Sequence, residues 1–467
     1  MLLSSEFYIG ERQPLTYHLR RTLAFAIPII VARSAILIMA TVDVVMTGWS
    51  GARELAYMGL GATPMITLMI VCIGALQATV VLVSQSIGAG EQANVGNIWR
   101  ASLVHALILG VFLLVISFFA ETFYLFIGQD PDISHHGAAV SFAFGVGIPG
   151  MLLYIATSLT LEACGHPRVG MFAMLGVNVA NVILNGIFVL GWFGLAEPGG
   201  AVAAIVTSSI LRWVAFSVVL AYMLWVLARG DDSYGIMISC SRWFRQAATV
   251  GAEMGGRLRR LGFPMGLGQG VESTSFAAVV FLAGYLGANA LAAHQTTMTI
   301  LTLVYMNAIG MAGATTIRVA RAVGRQSVAD TYLAGMSGVL LAMVLALPFA
   351  FLAWFAPEWI VSQFVDDVAV IAIGRETMWT IGWFFSIDAM MGVILGALRG
   401  LSDIWIPISV QFMAFWVIAV PVSWYLANDA DLGAPGLWWG TGLGMVVSLA
   451  FLLPRFWIVA HRPITRA

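Results

Sequence analysis

Long apolar blocks separated by short polar segments are the main pattern along the chain. A helix of about 18 or more apolar residues is long enough to cross the hydrocarbon core of a bilayer. The sequence contains twelve blocks of this kind, which predict twelve membrane-spanning helices. The predicted spans are 22–46, 56–87, 101–120, 137–161, 170–192, 201–228, 261–284, 290–320, 331–354, 371–398, 404–427 and 434–460.

The composition indicates the same class of protein. Of the 467 residues, 60% are hydrophobic and 10% are charged, and the mean hydropathy is +0.92. Such a chain cannot form the polar surface of a water-soluble protein, so we predict an all-α integral membrane protein. Residues 1–21 lack an apolar core followed by a small-residue cleavage site, so no signal peptide is expected. Nucleic-acid binding has no support.

The arginines predict the orientation of the spans. The chain has 22 basic residues and no lysine. With both termini in the cytoplasm, eighteen arginines fall in inside segments and two, Arg53 and Arg375, fall outside. This asymmetry follows the positive-inside rule and favours an even number of spans.

An enzyme is not predicted. The sequence has no GxSxG or HExxH motif, and its seven histidines are scattered. Its three cysteines, Cys72, Cys164 and Cys240, lack metal-ligand spacing and are interpreted as packing or loop residues. We therefore expect no catalytic residues and no cofactor. A channel is disfavoured because the intramembrane acids form no repeated ring.

The two halves of the chain repeat each other at an offset of 236 residues. The offset aligns Gly48 with Gly284 and Gly51 with Gly287, and it continues without a gap to Gly88 and Gly324. Six predicted spans separate the copies, so both have the same orientation, which is a parallel six-plus-six repeat.

The predicted domains follow from this repeat. Residues 1–228 form an N-lobe, residues 261–467 form a C-lobe, and residues 229–260 form a basic cytoplasmic linker with an interfacial or cytoplasmic helix. A two-lobed parallel repeat usually carries its substrate path between the lobes, so transport is the leading hypothesis.

Acids inside predicted spans are functional candidates because they are costly in lipid. Asp43 lies five residues before the end of the first span, about 7–8 Å deep. Asn185 and Thr207 are about 10 Å deep on the fifth and sixth spans, and Asn181 is one turn below Asn185.

These oxygen donors could surround a Na⁺ ion or hold a proton on Asp43. The alternative is a hydrogen-bond cluster that joins the helices of the N-lobe. The acid favours a cation-coupling site at Asp43, Asn181, Asn185 and Thr207.

The second half does not copy this group. It instead has Glu272 and Asp388, each roughly 18 Å deep. The two carboxylates could share a proton or hold a cation between them. Alternatively, hydroxyl groups such as those of residues 273–275 could satisfy each carboxylate separately.

Three other residues in predicted spans have open roles. Arg33 and Arg212 could line a cavity between the lobes or extend towards the interface. Pro28 removes a backbone donor and should kink the first span. A kinked helix that carries an acid could act as a gate. Alternatively, the proline has no such role, because proline is common in membrane helices.

Five spaced motifs then resemble one known family. These are "IPII…TVDVVMTGWSG", "LEACGHPRVGMFAMLGVNVANVILNGIFVLG", "GVEST", "GANALAAHQ" and "GALRGLSD". Together they resemble the multidrug and toxic compound extrusion (MATE) transporters, NorM-type branch. The resemblance covers essentially the whole chain and implies a V-shaped pair of six-helix lobes in a MATE-type transporter fold.

The resemblance also implies roles for residues. Asp43, Asn181, Asn185 and Thr207 match a cation-coupling group of the family's first lobe, and Glu272 and Asp388 match acids of its second lobe. His294 and Gln295 fall on the family's "HQ" pair, and Arg33 departs from the small or neutral residue expected at its position. The substrate cavity or gate is assigned to Pro28, Arg33, His294 and Gln295.

These features predict a multidrug efflux antiporter, coupled to Na⁺ or H⁺, that exports organic cations and amphiphilic toxic compounds by alternating access. The rival is a lipid-linked oligosaccharide or peptidoglycan-precursor flippase of the same superfamily. The expected location is the bacterial inner (plasma) membrane, with lipids as neighbours and a monomeric state.

Overall fold

The computed structural model of the protein describes residues 14–195, 197–227, 232–237 and 251–462. Within these ranges the regular structure is helical, and no β-strand occurs. The predicted all-α class is confirmed.

The described residues of the first half of the chain form eight α-helices. They are α1 (Leu15–Ser50), α2 (Ala52–Leu76), α3 (Ala78–Gly88), α4 (Val95–Ser117), α5 (Ala120–Phe126), α6 (Pro131–Ala163), α7 (Pro167–Phe188) and α8 (Gly200–Tyr222). A π-helical turn, Met223–Leu227, extends α8.

The part of the second half that the structure describes forms nine further α-helices. They are α9 (Ala252–Tyr285), α10 (Ala288–Gly324), α11 (Val328–Phe355), α12 (Pro357–Ser362), α13 (Val368–Gly382), α14 (Phe385–Gly400), α15 (Trp405–Phe412), α16 (Val420–Asn428) and α17 (Gly433–Ala460). A π-helical segment, Met413–Ala419, joins α15 to α16.

Each of the twelve predicted spans coincides with one helix or with a run of adjacent helices. Ten described helical segments are long and apolar enough to cross a membrane, or eleven if the bent pair α13 and α14 counts as one span. Among the helices that coincide with predicted spans, α9 is outside this set: it is 34 residues long but includes Glu272 and the arginines at 257, 259 and 260. The protein is therefore a multi-pass membrane protein.

The repeat is visible at the first turn of each half. Gly51 separates α1 from α2 with φ of 135°, and Gly287 separates α9 from α10 with φ of 105°. Residues with side chains rarely adopt these angles, so glycine is required at both positions. The two glycines are 236 residues apart, as the sequence repeat predicts.

The chain forms two compact units. The first unit is Val31–Gly266, and the second unit combines Leu267–Ala467 with the residues up to Ile30. Both boundaries lie inside a helix, α1 or α9, two residues after a proline: Pro28 or Pro264. These prolines are also related by the 236-residue offset.

The predicted lobes at 1–228 and 261–467 were drawn from the repeat and stay a prediction. Residues 229–231 and 238–250 of the predicted linker lie outside the described residues. The last nine linker residues, 252–260, form the first turns of α9.

Glycines allow the first half of α9 to pack closely on α2 and the first half of α1 to pack closely on α10. In the first unit, a side chain at Gly262 or Gly266 would overlap the backbone carbonyl of Ala75 or Val71. In the second unit, a side chain at Gly310 would overlap the backbone of Ile30. Because the main chains approach this closely, bulkier residues at these glycines would separate the helices.

The start of α1 is also held by polar contacts inside the second unit. Arg318 on α10 donates to the backbone oxygen of His18 at 2.9 Å and contacts His18 Nδ1 at 2.8 Å. His18 Nε2 lies 3.7 Å from Asp330 Oδ1. The first half of α1 is therefore a fixed part of this unit.

The contact between α16 and α17 gives a test of the fold. A side chain at Gly440 would overlap the backbone nitrogen and Oγ of Ser423. We expect Gly440→Ala to lower the free energy of unfolding by about 1–3 kcal/mol, because the helices must move apart. Thermal unfolding in detergent, followed by tryptophan fluorescence, measures this change.

The matched control is Gly176→Ala on α7, where no other group lies within 4 Å of the added carbon. We expect this variant to be neutral or more stable by up to about 1 kcal/mol, because alanine favours helix. Equal destabilisation by the two substitutions would contradict the packing account.

Candidate functional site

Asp43 on α1 is the centre of a buried polar cluster in the first unit. Asp43 is only 2% exposed. Asn185 Nδ2 and Asn181 Nδ2 donate to Asp43 Oδ1 at 2.7 and 3.0 Å. Ser208 Oγ donates to Oδ2 at 2.5 Å. The carboxylate therefore accepts hydrogen bonds from two other helices.

The spacing of the asparagines explains half of this cluster. Residues four apart on a helix share a face, so Asn181 and Asn185 of α7 can both reach one carboxylate. Their predicted depth in the membrane, counted from the ends of the spans, placed both asparagines near Asp43. The structure brings all three residues together.

The hydroxyl group of the cluster comes from Ser208, which the sequence reading missed. Thr207, the candidate, is buried beside it in the chain, but the hydroxyl group that contacts Asp43 is that of Ser208. Depth along a helix fixes the level of a residue but not its direction, and adjacent residues differ in direction by about 100°. The direction that each residue of α8 faces depends on packing against other helices, so the sequence carried no signal that distinguishes the two.

The donor set of this cluster suits a small hard cation. Asn181 Oδ1 and Asn185 Oδ1 are buried and have no hydrogen-bond partner among the described residues. Rotation of the two amides would present these oxygens beside the carboxylate, and oxygen ligands are those that hard cations prefer. In the same described ranges, no group of three or more His, Cys, Asp or Glu side chains could hold a metal ion.

Arg33 has a buried partner in the same unit. Its Nη2 lies 3.2 Å from Glu162 Oε1, and Ser158 Oγ donates to the same oxygen at 3.1 Å. The side chains of Arg33 and Glu162 are 11% and 3% exposed. Arg33 is thus an ion-paired residue, and Glu162 is a buried acid that the sequence reading missed because the predicted span ended at residue 161.

Glu272 on α9 and Asp388 on α14 are the buried acids of the second unit. They are 6% and 2% exposed. Tyr305 Oη on α10 donates to Glu272 Oε1 at 3.0 Å. Tyr305 was not a candidate, because a tyrosine inside an apolar span resembles ordinary core packing.

The hydroxyl groups next to Glu272 have other partners. Ser273 and Thr274 donate to backbone oxygens one turn earlier, and Ser275 donates to the backbone oxygen of Glu272. Among the described contacts, the tyrosine is the hydroxyl group that reaches the Glu272 carboxylate.

A helix break positions Asp388. Helices α13 and α14 meet at an angle of 48°, and Asp388 lies in the first turn of α14. The positive end of a helix dipole stabilises a carboxylate placed there. The break therefore gives Asp388 an electrostatic partner within its own helix.

The remaining candidates are His294, Gln295 and Pro28. His294 is 1% exposed and stacks on Trp438 with ring centroids 4.7 Å apart. Gln295 is exposed. Pro28 is buried in α1, which is helical on both sides of it, and the predicted kink and gating role stay predictions. No described hydrogen bond joins these residues to Asp43, Glu272 or Asp388.

The fold and the buried acids define a multi-pass, all-α membrane protein with an internal carboxylate site in each of two compact units. The MatE family model matches residues 28–187 and 264–425. The chain therefore belongs to the MatE family, and the resemblance noted in its motifs is confirmed.

Curated relatives and solved structures agree with this assignment. The chain is 28% identical over 441 residues to the probable multidrug resistance protein NorM of Pseudomonas syringae pv. tomato, covering 93% of each chain. It is 30% identical over 456 residues to the protein of the same name in Deinococcus radiodurans, covering 94% of this chain and 95% of that one. The crystal structure of the eukaryotic MATE transporter AtDTX14 matches with a TM-score of 0.84 and 18% identity, over 96% of this chain and 98% of that one.

The Ser208 hydrogen bond gives a first test of the site. We expect Ser208→Ala to lower the free energy of unfolding by about 1–3 kcal/mol, because a buried carboxylate loses a donor. The control is Ser217→Ala on the same helix, whose exposed hydroxyl group donates to its own helix, and which should change stability by at most about 0.5 kcal/mol. Unfolding in detergent compares the two variants, and similar losses would count against the described geometry.

The Arg33–Glu162 ion pair gives a second test. Arg33→Met should cost about 3–5 kcal/mol, because it leaves a buried carboxylate without its cation. The double variant Arg33→Met/Glu162→Leu should regain most of that loss, because no unpaired charge remains. A double-mutant cycle of unfolding free energies measures the coupling. Additive losses would show that the two side chains do not act as a pair.

Proposed function

We propose that this protein is a multidrug efflux antiporter, coupled to Na⁺ or H⁺, that exports organic cations and amphiphilic toxic compounds by alternating access. The observation that carries the coupling is the buried carboxylate site of each unit, Asp43 in the first and Glu272 with Asp388 in the second. Burying an acid in a membrane protein is costly, and such acids commonly mark ion pathways. Family membership supports the transport of small molecules.

The coupling needs only a difference in affinity between two conformations. The cation binds the carboxylates better in one state, and the substrate binds better in the other state. Each ligand therefore lowers the affinity of the protein for the other, which couples their transport in opposite directions. Asp43, with Asn181, Asn185 and Thr207, is the proposed cation site of the first unit, and its Ser208 contact adds a second hydroxyl group. Glu272 and Asp388 are the proposed site of the second unit.

The substrate class follows from the charges and the apolar side chains. The ion pair with Glu162 compensates the charge of Arg33, which removes an objection to cationic substrates. The chain contains 23 Met, 27 Phe and 16 Trp residues, and Met and aromatic side chains bind flat amphiphiles of varied shape. A flippase for anionic lipid-linked precursors would need several uncompensated cations instead.

We further propose that the protein acts as a monomer in the bacterial inner membrane, with both termini in the cytoplasm. No enzymatic step or cofactor is part of this proposal. The coupling ion is the only other solute required.

Ethidium efflux under imposed gradients tests the function. We expect a Na⁺ gradient or an H⁺ gradient to drive efflux from cells that express the protein. Asp43→Asn should reduce the coupled rate by at least about tenfold, because the variant cannot hold a charge-balanced cation. The protein level in the membrane, measured in parallel, separates loss of coupling from loss of folding.

The control is Glu358→Gln, an exposed acid paired only with exposed Arg375. This variant should keep wild-type efflux. The antiporter proposal fails if neither gradient drives efflux of any tested cation, and movement of lipid-linked precursors in that case would favour the flippase. Wild-type efflux in Asp43→Asn would return Asp43 to a structural role.

A further inference from the structure

Arg212 on α8 is a buried cation for which the described residues provide no hydrogen-bonded anion. The residue is 6% exposed, and its Nε and Nη1 atoms have no partner among the described residues. Its guanidinium carbon lies 4.0 Å from the centroid of the Phe144 ring. A cation–π contact of this kind offsets part of the cost of burial but leaves the N–H groups unsatisfied.

The position of Arg212 relates it to Asp43. Arg212 follows Ser208 by four residues, so both lie on the same face of α8, about 6 Å apart along its axis. Ser208 is the residue that donates to Asp43 Oδ2. Arg212 is the single charged residue of α8, so the turn next to the Ser208 donor carries a buried positive charge.

The described hydrogen-bond partners of Asp43 are neutral. Asn181 and Asn185 come from α7, Ser208 comes from α8, and Thr47 lies one turn further along α1. The charge balance of the cluster therefore consists of one carboxylate and one guanidinium. A third charge, carried by a bound Na⁺ or H⁺, would make the cluster cationic.

We propose that Arg212 is a built-in counter-ion of Asp43 that weakens the affinity of this site for the coupling cation. Without Arg212, the carboxylate would hold a cation tightly in an environment that screens charge poorly. With Arg212 one helical turn away, repulsion limits that affinity, and the cation can leave during each cycle. Arg212 acts through Asp43 and is a positioning residue. This inference rests on the proposed function, because it assumes that a cation binds at Asp43.

The experiment measures cation affinity directly. Purified protein in detergent is titrated with Na⁺ at fixed pH and with acid at fixed Na⁺, and the rise in melting temperature gives the half-saturating concentration. We expect Arg212→Met, which keeps the length but not the charge, to lower that concentration by at least about tenfold. Arg212→Lys, which keeps the charge, should stay within about threefold of wild type.

Two further variants separate charge from packing. Ser209 is next to Ser208 in the chain, and its hydroxyl group donates to the backbone oxygen of Ala143 on α6. Ser209→Ala removes this hydrogen bond and should leave the half-saturating concentration unchanged. In an Asp43→Asn background, Arg212→Met should cause no shift. An unchanged concentration in Arg212→Met, or an equal shift in the Asp43→Asn background, overturns the counter-ion role.

Loss of folding is also informative. If Arg212→Met does not accumulate, the double variant Asp43→Asn/Arg212→Met should, because it removes both buried charges. Failure of both variants to fold overturns the proposal in favour of a packing role against Phe144. Absence of gradient-driven efflux in the wild type would reject the proposed function, whereas the binding titration would still decide the role of Arg212.

Discussion

Every polar side chain buried in the apolar interior of a membrane protein must find its partners inside the protein, because lipid offers none. This constraint explains why Asp43 is surrounded by donors from α7 and α8, and why Glu162 and Arg33 form an ion pair. The same constraint makes buried polar atoms without a described partner notable. The amide oxygens of Asn181 and Asn185 are costly in isolation, and a bound cation would satisfy them.

The two halves share a scaffold but differ in chemistry. The repeated features are backbone features, such as the turn glycines Gly51 and Gly287. The acids are not repeated, since the offset places Val279 opposite Asp43. The first unit therefore has an amide-rich site around Asp43, with the Arg212 guanidinium on the same helix as one of its donors. The second unit has two buried acids, Glu272 and Asp388, with a tyrosine donor. Such sites need not bind the same ion with the same affinity.

The sequence predicted the helices well because lipid makes long apolar blocks nearly unambiguous. Depth counting also placed Asn185 beside Asp43. It could not choose between Thr207 and Ser208, because direction around a helix depends on packing. It missed Glu162 because the predicted span ended one residue early, and Tyr305 because its hydroxyl group is recognised only by its contact with Glu272. Partners from distant spans are set by tertiary structure.

The unit boundaries inside α1 and α9 affect how the chain folds. The start of α1, as far as Ile30, packs against α10, whereas α9 contributes its first half to the unit that precedes it in the chain. During synthesis, the start of α1 must therefore wait until more than half of the chain has been made before its packing partner exists. The first unit is likewise incomplete until Gly266 has been inserted. Contacts between residues that are far apart in the sequence slow folding. Because each unit takes part of a helix from the other half of the chain, neither half contains all the residues of its own unit.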